Sequence, residues 1–285
     1  MTLTLVLRAA AAAPLWAATA LFRLLPKELA SNTGASIGRN IGALLPVNRT
    51  GDENLRRVFP EWSAEQRAAV LRDCWGNLGR LATEHSYPPD EEKLRVEGAE
   101  ILESAKNSGA PVVFVSAHIG NWEALPIIAA RYGLRYTGVY RQANNPFVER
   151  LIQRQRGQQA AAFIPKGKSG TKQLIRLVRS GEPVGMLVDQ RLSEGIRVPF
   201  LGLDAATTTT PAELALRYGA QLIPAYARRD ADGGITVVVE QPLSRDDVPQ
   251  GQDGVIWLTT ALNERISGWI RAYPAQWLWL HRRWR

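Results

Sequence analysis

The sequence predicts an α/β domain in which helices cover both faces of a largely parallel central β-sheet. From residue 111 onward, short runs rich in β-branched and aromatic residues alternate with windows of helical hydrophobic spacing, as in β-α-β units. The 285 residues include one cysteine, so an intrachain disulfide is excluded. A chain of this length buries a sizeable core without such a crosslink.

The first 27 residues are predicted to be a membrane-associating segment, followed by a single domain over residues 28–285. The segment is apolar, but Arg8 and Pro14 interrupt it, and only 14 uncharged residues separate Arg8 from Arg23. A helix that spans a membrane needs about 20. We therefore expect a helix in the membrane interface, with a single spanning helix or a cleaved signal as the alternatives.

Residues 28–95 are predicted to be a helical region. The clearest helix follows Ser63, a favoured N-cap with Gln66 at the capping-box position. Leu71, Cys74 and Trp75 then recur at helical spacing, so Cys74 is interpreted as a small core residue.

Strands and helices alternate through the rest of the chain. The predicted strands are PVVFVSA, LRYTGVY, AAFIP, PVGMLVD, IRVPFLG, AQLIPAYAR and GITVVVE. The predicted helices are NWEALPIIAARYG, NPFVERLIQRQRG, GTKQLIRLVRSG, TPAELALRYG and residues 252–272. Sheets of this kind bind ligands at the carboxyl ends of their strands. Polar motifs that follow a strand are therefore candidates for an active site.

The net charge of +8 indicates anionic partners, such as nucleic acid, lipid headgroups or phosphorylated substrates. Nine tryptophans combined with many arginines favour a membrane interface, and no nucleic-acid-binding motif is present. The closing stretch AQWLWLHRRWR predicts either a second membrane anchor or a segment packed into the core.

The stretch SAHIGNWE follows the apolar run PVVFV directly. His118 and Glu123 are five residues apart, so they would not share a face of one continuous helix. They meet if Gly120 makes a turn and Asn121 caps a helix that carries Glu123 in its first turn. Glu123 would then keep one imidazole nitrogen protonated and leave the other free to accept a proton. The alternative is structural: Glu123 serves the helix dipole, and His118 caps backbone groups.

Other catalytic chemistries find little support in the sequence. Ser116 lies in no G-x-S-x-G motif, and neither H-E-x-x-H nor paired cysteines are present, so no metal is expected. PKGKSGTKQ is not a Walker A motif, because Ala162 stands where a glycine is needed. A histidine with a carboxylate and no side-chain nucleophile suits direct transfer to a substrate hydroxyl.

An ordered set of motifs resembles the bacterial lipid A late (lauroyl/myristoyl) acyltransferase family, part of the wider H-x-x-x-x-D/E glycerolipid acyltransferase group. The resemblance covers roughly residues 40–285, and the order of the motifs is its most specific feature. The motifs are H-x-x-x-x-E after a strand, VYRQANNP, PKGKSG, MLVDQR, VPFLGLDAATTTT and WLWLHRRWR.

The resemblance implies that His118 is the general base on an acceptor hydroxyl and that Glu123 orients it. It implies a fatty acyl thioester as donor, carried on acyl carrier protein or on coenzyme A. The implied acceptor is a phosphorylated, acylated glucosamine lipid at the cytoplasmic face of the inner membrane. Cofactors, metals, nucleic acid and a covalent acyl-enzyme are not implied.

Five further residues are candidates for substrate binding. Arg141 follows a strand end, where a phosphate or oxyanion could sit, and Asp189 at another strand end could order the site or a substrate amide. Lys166 and Lys168 are candidates for contact with phosphate or carrier protein. Arg197 lies in LSEGIRV, roughly where glycerolipid enzymes carry a P-E-G-T-R-like phosphate motif, but the proline and threonine are missing. An ion pair for Arg141 and a solvated loop for the lysines are the alternatives.

Three other functions remain open at this point. One is an acyltransferase for another membrane lipid, such as a lysophospholipid, ornithine lipid or glycolipid. Another is a catalytically inactive membrane-binding relative. The third is a nucleic-acid binder, which the basic charge alone would suit and which would show steeply salt-dependent binding.

Overall fold

The computed structural model describes residues 3–88, 90–140, 142–156, 162–165, 167–244 and 248–284. The helices are α1 (Leu3–Phe22), α2 (Lys27–Ile41), α3 (Asn48–Val58), α4 (Ala64–Glu84), α5 (Ala99–Asn107), α6 (Ala124–Arg131), α7 (Pro146–Arg156), α8 (Lys168–Arg179), α9 (Thr210–Tyr218) and α10 (Gln252–Ala272). The strands are β1 (Leu94–Glu97), β2 (Val112–Ser116), β3 (Thr137–Tyr140), β4 (Ala162–Pro165), β5 (Val184–Leu187), β6 (Ile196–Phe200), β7 (Leu203–Thr207), β8 (Gln221–Arg229) and β9 (Ile235–Val239).

The central sheet has seven strands in the order β1-β9-β8-β2-β5-β3-β4. All neighbours pair in parallel except β8 and β9, which are antiparallel. Strands β6 and β7 form a separate antiparallel hairpin. The predicted α/β class with a largely parallel sheet is therefore confirmed.

Strand β2 lies at the centre of the sheet and is buried along its whole length. Val113 and Val115 face one core cluster, together with side chains from α4, α8, α9 and α10. Val112 and Phe114 face the other, together with side chains from α5 and α6. Helices thus cover both faces, which is why β2 reads as a continuous apolar run instead of an alternating one.

The helical region between residues 28 and 95 is largely as expected. The capping box at the start of α4 is confirmed, since the Ser63 hydroxyl accepts from Gln66 N–H and the Gln66 side chain accepts from Ser63 N–H. The prediction missed β1, a four-residue strand at the sheet edge, the nine-residue helix α5, and β7. Elements this short contain too few repeats of the hydrophobic pattern to be recognised from the sequence alone.

The apolar N-terminus forms α1, which packs against the segment around α7. Trp16 Nε1–H donates to Phe147 O at 3.2 Å, and Asn145 Nδ2–H donates to Arg8 O at 2.8 Å. In the described part of the chain, no helix combines the length and hydropathy that crossing a bilayer requires. Membrane association of residues 1–27, and the division of the chain at residue 28, stay predictions.

The C-terminal stretch packs into the core. Trp277, Trp279 and Arg283 have no exposed surface. The guanidinium of Arg283 donates to Ala206 O and to Thr207 Oγ1, both at 2.7 Å. For these three side chains the expectation of a second membrane anchor is therefore wrong, and the core alternative is correct, because they are fully engaged inside the protein.

Candidate active site

The turn that carries His118 lies directly beyond the carboxyl end of β2. Gly120 has φ +57°, and a Cβ at this position would lie 2.0 Å from Ala227 O, so a glycine is required. Helix α6 begins at Ala124 with Glu123 in the N-cap position. The prediction of Asn121 as N-cap was wrong: its side chain instead donates to Glu84 Oε2 at 3.1 Å.

His118 is held by Asp189, which follows β5, the sheet neighbour of β2. His118 Nδ1 lies 2.8 Å from Asp189 Oδ1, and His118 N–H donates to Asp189 Oδ2 at 3.0 Å. Trp277 Nε1–H also donates to Oδ2, at 2.8 Å. Asp189 has no exposed surface, so these three donors satisfy a carboxylate that water does not reach.

The charge state of Asp189 follows from these contacts. Burial opposes ionisation, but the positive form of His118 and its two hydrogen bonds outweigh burial and hold the pKa of Asp189 well below its ordinary value. An ionised Asp189 can only accept hydrogen bonds, so its contact with His118 Nδ1 requires that Nδ1 carry the proton. The hydrogen-bond network therefore assigns the Nδ1–H tautomer to His118. His118 Nε2 is then the nitrogen that remains for proton transfer.

Glu123 lies in the same region but approaches a different histidine, His85. Its Oε1 is 3.7 Å from His85 Nε2, and its side chain is 9% exposed. The carboxylate at His118 Nδ1 is therefore Asp189 and not Glu123, which corrects the pairing inferred from local spacing. Spacing within one motif could not show that β2 and β5 are neighbours. A catalytic role for Glu123 stays a prediction.

An apolar cavity of about 430 Å³ opens beside His118. This volume is in the range of small-molecule sites, and an apolar wall with few polar groups suits an extended hydrocarbon. The polar side chains in its lining include those of Ser116, His118, Glu123 and Gln190. Its apolar wall includes Leu102, Phe114, Trp122, Leu125, Pro126, Ile128, Ala129, Tyr136, Val139, Ile152, Phe163, Met186 and Leu187.

A second cavity, of about 290 Å³, adjoins the first at Glu123, which belongs to both linings. Most of the residues in its lining are polar or charged, with charges of both signs. Arg229 Nη2–H donates to Glu84 Oε2 at 2.7 Å, and Arg80 Nη1–H donates to Asn32 Oδ1 at 2.7 Å. Glu123 thus lies between a cavity lined mainly by apolar residues and one lined mainly by polar and charged residues.

The other predicted binding residues are not brought together here. Arg197 is an exposed residue of β6, and the described linings of the two cavities do not include it. Arg141 and Lys166 lie outside the described residues, and Lys168 begins α8 with a side chain that is likewise outside the description. Substrate binding by these four residues stays a prediction. Across the described ranges, no group of His, Cys, Asp and Glu side chains could hold a metal ion.

Trp277 is the residue of this site that the sequence analysis did not single out as functional. For Asp189, the sequence predicts a role in ordering the site but does not indicate its partner. The available signal was that Asp189 and His118 both follow buried strands, whose carboxyl ends meet at one sheet edge. Nothing local in WLWLHRRWR indicated which tryptophan reaches that edge.

The chain has clear relatives among known proteins. A family model described as bacterial lipid A biosynthesis acyltransferase matches residues 3–285. A lipid A biosynthesis acyltransferase of Haemophilus influenzae is 26% identical over 273 residues, which cover 91% of this chain and 83% of that protein. A lipid A biosynthesis lauroyltransferase of Escherichia coli is 26% identical over 242 residues, 81% of this chain and 76% of that protein. A phosphatidylinositol mannoside acyltransferase of Mycolicibacterium smegmatis is 25% identical over 281 residues, 93% of this chain and 88% of that protein.

Proposed function

The chain belongs to the bacterial lipid A biosynthesis acyltransferase family, and we propose that it moves a fatty acyl chain from a thioester to a hydroxyl of a lipid A precursor. The observation that carries this proposal is the His118–Asp189 pair beside the 430 Å³ apolar cavity. The cavity suits the acyl chain, and the pair suits removal of a proton from the acceptor.

In the proposed reaction, His118 Nε2 takes the proton of the acceptor hydroxyl as its oxygen attacks the thioester carbonyl carbon. The C–S bond then breaks, and the imidazolium returns the proton to the departing thiolate. Asp189 keeps Nδ1 protonated and stabilises the imidazolium between these two steps. No acyl-enzyme, cofactor or metal takes part, and the products are the acylated lipid and a free thiol.

Purified protein tests this function directly with an acylated carrier protein and a lipid A precursor in detergent micelles. Mass spectrometry should show the acceptor one acyl chain heavier. The His118→Ala variant should fold, as checked by circular dichroism, and lose at least about 100-fold in turnover, the usual scale for loss of a general base. Folded His118→Ala with near-normal turnover would remove His118 from the mechanism.

A glycolipid acceptor is the second candidate. The Mycolicibacterium relative matches this chain over as large a share as the lipid A enzymes do, at nearly the same identity. Incubation with a lipid A precursor and with a phosphatidylinositol mannoside, separately and in competition, decides between them. Lysophospholipid and ornithine-lipid acceptors belong in the same assay. Lack of transfer to any of these acceptors would favour an inactive membrane-binding relative.

We propose that the donor is borne on acyl carrier protein, which is acidic, and that α8 receives it. Lys172, Arg176 and Arg179 are exposed and fall on one face of α8, a helix without acidic residues. Within the described residues, none of the three makes an ion pair. Such a basic face raises the rate of encounter with an acidic partner.

Reversal of these three charges to glutamate should raise KM for the carrier-borne donor at least about tenfold. It should leave turnover of a short acyl-pantetheine donor unchanged, because that donor lacks the carrier. The matched control reverses the same number of charges at exposed residues of other helices, Arg56, Arg72 and Lys106. Equal effects of the two sets, or none on the carrier-borne donor, would argue against docking on α8.

We also propose that the protein lies on the cytoplasmic face of the inner membrane. Exposed large apolar side chains are concentrated in residues 7–47, and Leu24 and Leu44 expose 80% and 81% of their surface. Apolar side chains clustered in this way mark a surface that binds membrane or protein. They extend beyond residue 27 into α2 and the 3₁₀ turn Gly42–Leu44.

Flotation with anionic phospholipid vesicles tests this surface. Replacement of Leu24 and Leu44 by glutamine should reduce vesicle binding about tenfold or more, since each leucine loses its transfer into an apolar phase. The control replaces Leu192 and Leu216, which are 42% and 37% exposed elsewhere in the chain. Unchanged flotation of the Leu24 and Leu44 variant would place the membrane contact elsewhere.

A further inference from the structure

The segment Gln276–Leu278 holds the backbone of the turn that directly follows His118. Leu278 N–H donates to His118 O at 3.0 Å, and Gly120 N–H donates to Gln276 O at 3.0 Å. Between them, Ile119 and Trp277 form an antiparallel bridge. The turn that carries the candidate base is thus fixed by a chain segment far away in sequence.

The same segment reaches the carboxylate behind the histidine. Trp277 Nε1–H donates to Asp189 Oδ2 at 2.8 Å, inside a site with no exposed surface on either side chain. The indole ring meets Trp279 edge-on, with ring centroids 4.6 Å apart, and lies tilted against Phe200 at 5.7 Å.

The two oxygens of Asp189 are used differently. Oδ2 accepts from two fixed donors, the His118 backbone N–H and the Trp277 indole, and Oδ1 accepts from His118 Nδ1–H. Two bonds at one oxygen define the plane of the carboxylate, so Oδ1 remains aimed at the imidazole. Without the indole, the carboxylate keeps one backbone donor at Oδ2 and gains freedom to rotate.

We infer that Trp277 is a positioning residue for acyl transfer: its indole N–H fixes the Asp189 carboxylate and, through it, the ring of His118. This inference rests on the proposed role of His118 as general base. Trp277 is not among the described residues that line either cavity, so it acts on the reaction step and not on substrate binding. Its loss should therefore appear in kcat and leave KM for both substrates unchanged.

Trp279 provides a matched control for the test. It is equally buried, and its Nε1–H also donates to a single acceptor, Pro274 O at 2.7 Å. Trp277→Phe and Trp279→Phe therefore remove the same atoms and a comparable hydrogen bond, and they should lower Tm by similar amounts. We expect kcat to fall about tenfold or more in Trp277→Phe and less than about twofold in Trp279→Phe.

A second variant separates the hydrogen bond from ring packing. Site-specific replacement of Trp277 by 3-benzothienyl-alanine keeps the bicyclic shape and removes the N–H, so the fold is retained. The same loss of kcat in this variant supports positioning through the hydrogen bond. Near-normal kcat in this variant, or equal loss of kcat in both phenylalanine variants, would overturn the inference.

A double-mutant cycle tests the route through Asp189. In an Asp189→Asn background, Trp277→Phe should change kcat by less than about twofold, because the group that Trp277 positions has already lost its function. An undiminished effect there would show that Trp277 acts by another route. His118→Ala distinguishes failure of the proposed mechanism from failure of this inference. If His118→Ala stays active, the general-base role of His118 fails; if it is inactive, the Trp277 variants test positioning alone.

Discussion

Replacement of Asp189 by asparagine should separate the orientation of His118 from the packing of the site. Asparagine has the shape of aspartate, so the buried volume is unchanged. One of its two terminal atoms, however, becomes a donor. At Asp189, all three contacts are donors: His118 N–H and Trp277 Nε1–H at Oδ2, and His118 Nδ1–H at Oδ1.

The asparagine therefore has two orientations, and both conflict with an active His118. With the amide NH₂ at the Oδ1 position, Nδ1 has to become an acceptor, which moves the imidazole proton to Nε2 and removes the base. With the NH₂ at the Oδ2 position, it faces two donors. If Nε2 stays unprotonated, either orientation of the amide leaves at least two buried donors without an acceptor.

The magnitude follows from these unsatisfied donors. Each costs about 1–3 kcal/mol when buried, so the active tautomer is disfavoured by about 2–6 kcal/mol. At about 1.4 kcal/mol per tenfold, we expect kcat to fall by about 30-fold to about 2 × 10⁴-fold. Substrate KM values should change little, because Asp189 is not among the described residues that line either cavity.

Two measurements check the reasoning. Product formation by mass spectrometry gives kcat and KM, and ¹⁵N–¹H NMR of the imidazole gives the tautomer. Wild-type His118 should show Nδ1–H, and the folded Asp189→Asn protein should show Nε2–H. A variant within about threefold of wild-type kcat, or one that retains Nδ1–H, would refute the role assigned to Asp189.

Three further predictions concern the same region. Gly120→Ala would place a Cβ 2.0 Å from Ala227 O at a residue with φ +57°. Urea denaturation should therefore show a loss of at least about 2 kcal/mol in the free energy of unfolding. A loss below about 1 kcal/mol would mean that the turn adapts to the side chain. Gly185→Ala would place a methyl 2.3 Å from the Tyr136 ring in the apolar cavity, so kcat/KM should fall more for long acyl donors than for short ones, and an unchanged ratio between chain lengths would speak against the cavity as the acyl site. Because the pKa of Asp189 is lower in the folded protein, its ionised carboxylate stabilises the fold above about pH 3.8, and this contribution is lost as pH falls further. The difference in unfolding free energy between wild type and Asp189→Asn should therefore shrink below that pH. A constant difference down to about pH 2 would contradict this prediction.

Much of the architecture was legible in the sequence because its determinants are local. The alternation of apolar runs and helical windows predicted the α/β class, and the helix over residues 252–272 has the predicted bounds. The Ser63–Gln66 capping box was readable from four residues, since a cap depends on atoms within one turn. The location of His118 beyond a buried strand end also followed from local sequence.

Tertiary structure alone decided which groups act on His118 and where the C-terminal stretch lies. The partner at Nδ1 is Asp189, 71 residues away, because β5 pairs beside β2, whereas Glu123 in the same motif is 3.7 Å from His85. Strand order is set by how helices pack on the two faces of the sheet, and no single motif contains that information. Apolar rings next to basic groups suit a membrane interface and a protein interior equally well. Trp277 is buried because a carboxylate and aromatic rings from distant segments meet it there, and only the folded chain brings them together.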